Sequence, residues 1–295
     1  MQGKVISVKK KKKVLIKPYV FLLIPIFLVI VFSFYPFIKT IISSFSTTTQ
    51  YGQFIQWRGL GNWQRMFSNR EFVDTIVRTV KFAGMVLVMS MTVSMFLAIL
   101  CANEGKGSRV YQTLFGLPMV IASVAISIVW QFILRQHGGI LNQVLGTNNS
   151  WLNDTRYAMI LVACITAWSH VAMNFIYLLV GFRNVSDDLI EAAKIDGASW
   201  WTRTFKIMIP IASPQIFFVL FLNIVSSLKT FTQIKLLTAG GPGSTTKTLI
   251  YYIYEHAIMK GQFEYGCCEA IVLFLLIFIA TRIQFATEKK FVHYS

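Results

Sequence analysis

Charge is what this sequence has least of. Asp, Glu, Lys and Arg make up 14% of 295 residues, against about 25% in a soluble globular domain. Acid is scarcest, with 12 Asp and Glu against 28 Lys and Arg and a net charge of +16. Hydrophobic residues reach 55% and mean hydropathy is +0.59, which excludes an ordinary soluble domain and leaves an integral membrane protein. The cations form no stripe with interleaved aromatics, so the basic balance does not point to nucleic acid. Cysteine is sparse too. Of Cys101, Cys164, Cys267 and Cys268, three lie in or beside apolar runs, and the vicinal pair has no second pair at zinc-ligand spacing. They read as small buried apolar residues, not as a metal site. The sequence contains no His-Glu-x-x-His and no recognisable Ser, His and Asp constellation. Gly241 to Thr248 has the ingredients of a phosphate loop, but Thr246 stands where a glycine must precede Lys247, so no nucleotide site is read there.

What is abundant is long apolar sequence. About 20 apolar residues cross a bilayer as a helix. Six stretches qualify: 19–45, 77–102, 112–134, 157–182, 212–236 and 266–286. Pro25 and Pro36 predict a kink in the first. Pro118 and Pro214 sit near the starts of the third and fifth, where neighbouring helices satisfy the freed carbonyls. Seven lysines precede Pro18 and read as a cytoplasmic anchor beside anionic lipid. The apolar run after them is longer than a signal-peptide core, and no small-residue cleavage site follows. With the N-terminus inside, the cytoplasmic segments hold 15 Lys and Arg: the seven lysines, Lys106, Arg109, Arg183, Lys194, Arg203, Lys206, Lys289 and Lys290. The outer segments hold seven, namely Arg58, Arg65, Arg70, Arg135, Arg156, Lys247 and Lys260. That bias predicts both termini in the cytoplasm.

The chain is organised around Asp187 to Pro210. Ser186 is a candidate N-cap, and Asp187 and Asp188 lie where the helix dipole favours negative charge. The helix should stop at Asp196-Gly197. A second start follows at Ser199, with an end or kink near Pro210. By itself this is a solvated loop between two spans. Its spacing says more. Glu191-Ala192-Ala193, then Gly197, then Ile207-Met208-Ile209-Pro210 resembles the EAA loop of permease subunits in ATP-binding cassette importers, with Ile209 in place of the usual leucine. Gly59-Leu60-Gly61-Asn62-Trp63, Gly138 to Asn142 and Leu237 to Gly243 are similar to landmarks of the sugar-type permeases, specifically the maltose- and glycerol-phosphate-type first subunits. The lysine-rich start carries no such resemblance. Asn148-Asn149-Ser150 and Asn153-Asp154-Thr155 match glycosylation acceptors, but the resemblance points to bacteria, where they are set aside.

The resemblance implies an all-α fold of six transmembrane helices with a cytoplasmic coupling helix, the type I importer permease. Residues 1–18 would be the basic segment, 19–286 the permease domain and 287–295 a cytoplasmic tail. It implies a multi-pass protein of the bacterial cell membrane that is not an enzyme, binds no cofactor and holds no metal. ATP with magnesium would be used by two partner ATPase subunits. A second, homologous permease would complete the path, and an extracellular or periplasmic solute-binding protein would deliver a carbohydrate. Glu191, Ala192, Ala193, Gly197, Ile207, Ile209 and Pro210 would carry the coupling. A permease for another solute, such as a glycerol-phosphate-type polyol or a peptide, stays open, as does a stand-alone channel or membrane enzyme.

Polar residues on two apolar spans are the candidate path. Asn223, Ser226, Ser227, Thr230 and Gln233 recur at three and four, as do Thr166, His170, Asn174, Tyr177 and Gly181, so each set falls on one helical stripe. Helix packing explains such stripes equally well. Their hydroxyls and amides suit a sugar because they donate and accept. Lys235 is near the outer end and can snorkel. Lys229 lies deeper, where a charge must face a cavity or a partner, either an anionic substrate group or a carboxylate of the second permease. Trp130, Trp168 and Tyr177 can stack on a sugar face or serve packing and the interface belt.

Overall fold

A computed structural model describes residues 16–102 and 108–291. The lysines before Ile16 and Lys106 lie outside the described residues, as do the last four residues of the expected tail.

In chain order the helices are α1 (Ile16–Val29), α2 (Tyr35–Ser44), α3 (Gly61–Phe67), α4 (Arg70–Cys101), α5 (Ser108–Gly116), α6 (Ser123–Ile133), α7 (Ile140–Leu145), α8 (Ala158–Arg183), α9 (Asp187–Ile195), α10 (Trp200–Arg203), α11 (Ile209–Ile211), α12 (Ser213–Leu228), α13 (Thr232–Leu237), α14 (Leu249–Tyr254) and α15 (Phe263–Phe291). A hairpin of β1 (Ser46–Thr48) and β2 (Phe54–Trp57) pairs Ser46 with Trp57 and Thr47 with Gln56, antiparallel. It follows the first span and was not expected from the sequence.

Among the described residues, five segments are long and apolar enough to cross a membrane: Phe21–Ser44, Arg70–Cys101, Ala158–Arg183, Ser213–Leu237 and Phe263–Glu288. The expected third span, 112–134, is not one helix. It is a pair, Val110–Met119 and Ser123–Ile133, bent by 94°. Pro118 lies in a tight 3-10 turn at Leu117–Met119, and Ala122 is extended at ψ 137°. Proline and the residues after it thus break the span instead of being absorbed. In the first span the kink takes the form of a π-helical turn, Ile30–Phe34, directly before Tyr35-Pro36. The fifth span is also interrupted, at Lys229 to Phe231.

α4 and α8 form the centre. α4 starts at Asn69, whose side chain accepts from the Glu71 N–H, and Glu71 complements the dipole. Its buried stripe is Phe82, Val86, Ser90, Ser94, Ala98 and Cys101. Small residues there let the backbones approach, and the Ser94 hydroxyl reaches the Val171 carbonyl at 3.4 Å. α12 closes on the same pair. A Cβ on Gly181 would lie 2.6 Å from the Gln215 Cβ, so only glycine allows that contact of α8 with α12. Gln284 of α15 donates to the Phe217 carbonyl of α12 at 2.9 Å. The first span sits outside this bundle. Its large apolar side chains from Phe21 to Ile30 are exposed, and α2 touches α15 through Phe37 and Phe274, ring centres 5.1 Å apart.

Candidate functional site

The stretch 187–210 is two short helical pieces with a bend, as the local signals predict. Ser186 occupies the N-cap position with extended backbone but makes no side-chain cap bond. The end of α9 is a Schellman motif. Ala198 N–H donates to the Ala193 carbonyl at 2.9 Å, and Gly197 N–H donates to that of Lys194 at 3.1 Å. Gly197 supplies the left-handed residue that the motif needs, at φ +75°. Ser199 caps α10, accepting from Thr202 N–H at 3.2 Å. The second piece does not stop at Pro210. It passes through a π turn at Thr204–Met208 into α11 and breaks at Ala212.

Burial divides this stretch. Ala193 faces inward, Thr204 is fully covered, and Met208 and Ile209 pack on the cluster of Ala98, Phe175, Leu178 and Val219. Ile207 and Pro210 are half-buried, whereas Glu191, Ala192 and Gly197 are exposed. The second piece therefore anchors the first on the bundle. The sequence reading missed two members of the free face: Leu189 is 50% exposed and Ile195 is 86% exposed. With Ala192 they follow at intervals of three, so α9 presents an apolar strip beside Glu191. Periodicity was the available signal.

The polar stripes divide as well. Asn223 is buried and bridges three helices. Its amide donates to Ser90 Oγ on α4 at 2.9 Å, its Oδ1 lies 3.3 Å from His170 Nδ1 on α8, and Ser227 Oγ donates to that oxygen at 3.4 Å. Ser227, Thr230 and Gln233 are buried with it. Ser226, from the same expected stripe, is exposed, as is the neighbouring Lys229. The break after Leu228 takes Thr230 and Gln233 off the helical repeat, so the five do not form one line. On α8, Thr166 is buried and returns its hydroxyl to Val162. Asn174 is buried with its Nδ2 unpaired. Tyr177 is half-buried, edge-on to Phe218 at 5.7 Å. Trp130 and Trp168 pack on each other, 6.2 Å between ring centres.

The landmark asparagines have structural work at the opposite end. Asn62 donates to the carbonyls of Ser44 and Ser46, which ties α3 to the hairpin. Asn142 donates to the carbonyls of Arg135, Gln136 and Asn149 and accepts from Thr147, Asn149 N–H and Trp151. The loop before α14 is held by Lys247, which reaches Glu255 at 2.8 Å and Glu71 at 3.2 Å. Burial works against ionised Glu255, but Lys247 and Lys260 outweigh it and hold the carboxyl below its usual range. Burial pushes the His256 imidazole down to about 4.

A multi-span bundle with a broken fifth span and an exposed, rigidly capped helix at one end has the build of a membrane transport subunit. The family is shown by comparison. The chain belongs to the binding-protein-dependent transport system inner membrane components, whose family model matches residues 90–293. It is 31% identical over 281 residues to the sn-glycerol-3-phosphate transport system permease protein UgpA of Pectobacterium atrosepticum, covering 94% of this chain and 95% of that one. Its fold matches a chain of the bacterial alginate ABC transporter in complex with alginate pentasaccharide-bound periplasmic protein. There the TM-score is 0.82, the identity 20%, and the match covers 93% of this chain and 96% of the other. A second alginate importer structure gives a TM-score of 0.79 at 21% identity over 91% and 96%. The protein is thus a multi-pass permease subunit of the type I ABC importer fold, a transport component and not an enzyme. Family membership implies an ATPase and a solute-binding protein as partners.

Proposed function

We propose that this chain forms half of the translocation path of a carbohydrate importer and transmits ATP-driven motion through α9. The observation that carries it is the pairing of an exposed apolar strip (Leu189, Ala192 and Ile195) with a glycine-capped end and an anchored second piece. A rigid element tied to α4, α8 and α12 can bias two arrangements of the bundle when a partner moves it. Glu191, Ala192, Ala193 and Gly197 form the docking end, and Ile207, Ile209 and Pro210 the anchored end. A second, similar permease covers the exposed first span and the exposed side of α12. Two ATPase subunits bind and use ATP with magnesium; this chain binds none. A solute-binding protein docks at the end that carries Asn142 and Lys247. Both termini are cytoplasmic, by the excess of Lys and Arg on the side of α9. The carbohydrate reading is supported by the alginate importers of the same fold, and by the UgpA relative for a polyol phosphate.

The test is purification from the native membrane. A second permease and an ATPase should accompany this chain, and a carbohydrate-loaded binding protein should accelerate ATP hydrolysis. Acceleration by a peptide-loaded binding protein would replace the carbohydrate, and a chain that transports alone would end the proposal.

A further inference from the structure

Resting on that import reading, we infer that the imported carbohydrate is anionic, and that its carboxylate or phosphate group is met by Lys229 and Lys235 at the break in the fifth span. Lys229 ends α12, is exposed, and lies eight residues from the end of the span at Leu237. It therefore lies within the apolar span Ser213–Leu237, at the break between α12 and α13. Irregular backbone at that depth persists where it lines a cavity or is buried in protein, and a cation there is costly against lipid. Its exposure on this chain therefore places it on a watery path or against an anion.

The surroundings favour a path. Lys235, also exposed, lies 4.4 Å from the centre of the Tyr254 ring and 5.5 Å from that of Phe231. Two aromatic rings thus hold an ammonium beside the same break, and the rings themselves are edge-on at 5.0 Å. Gln131 donates to the Leu236 carbonyl, which brings the end of α6, and with it Arg135, against α13. Arg135 is exposed and lies over the Phe132 ring at 5.6 Å. Among the described residues, Lys229, Lys235 and Arg135 have no carboxylate within 4.0 Å. Lys247, Lys260 and Arg156 at the same end each have one, at 2.8, 2.7 and 2.7 Å.

The hydroxyls of a neutral sugar both donate and accept and need no fixed charge opposite them. An ammonium donates only and keeps its charge. Two cations without a carboxylate partner at one helix break, Lys235 held over two aromatic rings, suit a sugar ring that bears a negative group, which would make charge-assisted hydrogen bonds there.

The experiment uses cells with the intact complex and cells lacking this gene, grown on one hydrolysate that contains neutral oligosaccharides, uronate oligosaccharides and sugar phosphates. Mass spectrometry of the medium identifies what only the intact cells remove. Uronates or sugar phosphates are the expected result. Removal of neutral oligosaccharides alone overturns this inference and leaves carbohydrate import standing. Removal of no carbohydrate overturns both. With the identified compound, Lys229→Gln should raise the uptake KM roughly 10- to 100-fold, and Lys229→Arg should restore most of it. A Lys229→Gln complex that fails to assemble means the lysine pairs with a neighbouring subunit, and unchanged KM means it does not meet the substrate; either overturns its assignment.

Discussion

Gly197 gives the sharpest handle on coupling. It holds φ +75°, and a Cβ built there meets nothing within 4 Å. A side chain at this position therefore strains the backbone without pressing on the bundle. The left-handed conformation costs a residue with a Cβ roughly 1–2 kcal/mol, which is about a 5- to 30-fold loss in the population of the capped end. Gly197→Ala should therefore weaken stimulated ATP hydrolysis by a factor in that range while the membrane helices stay folded. Gly197→Asn should be milder, because asparagine tolerates this region. Gly197→Trp adds bulk on the free face and should abolish stimulation. The assay is ATPase rate with loaded binding protein, beside subunit stoichiometry and thermal unfolding of the purified complex. A Gly197→Trp complex that is fully assembled and hydrolyses ATP at the wild-type stimulated rate would refute the reasoning. Loss of assembly in Gly197→Ala would refute the claim that the strain stays local.

Three further outcomes follow from the geometry. A cysteine at Gly146 should label from outside intact cells and one at Ser199 should not; the reverse pattern would invert the bundle and remove α9 from reach of an ATPase. Asn223→Leu leaves Ser90 and His170 without their shared partner and should cost about 1–3 kcal/mol, seen as lower yield and melting temperature, whereas Ser226→Leu should assemble normally and slow uptake; equal stability of the two would mean Asn223 does not pin the helices. Lys247→Met removes two charge-assisted contacts and should lower stability by about 1.5–3 kcal/mol, measured by thermal unfolding, and an unchanged melting temperature would show that the loop before α14 is held by other contacts.

Where the sequence was legible, the cause was local chemistry. Ser199, Gly197 and the acidic pair Asp187 and Asp188 act within a few residues, so the bend and the two pieces around it could be read directly. Apolar length similarly located the spans. The misreadings concern effects that are not local. Pro118 and Pro214 look alike in sequence. Pro214 falls in the first turn of a helix, where its missing N–H is harmless, while Pro118 follows Gly116 in mid-span and the chain turns by 94°. The stripe on the fifth span was drawn on an ideal helix. It could not show that the helix breaks after Leu228, nor that Ser90 and His170 would meet Asn223 from two other helices. Leu189 and Ile195 were visible as apolar residues at helical spacing, yet only the packing of Met208 and Ile209 shows which side of α9 is left free.

The most direct test of the account is a photo-cross-linking residue placed at Ile195, the most exposed apolar side chain of α9. After irradiation of native membranes, the account predicts a product joining this chain to an ATPase subunit, lost when Gly197→Trp is added. A product with lipid alone, or an unchanged ATPase adduct in the Gly197→Trp background, would contradict it.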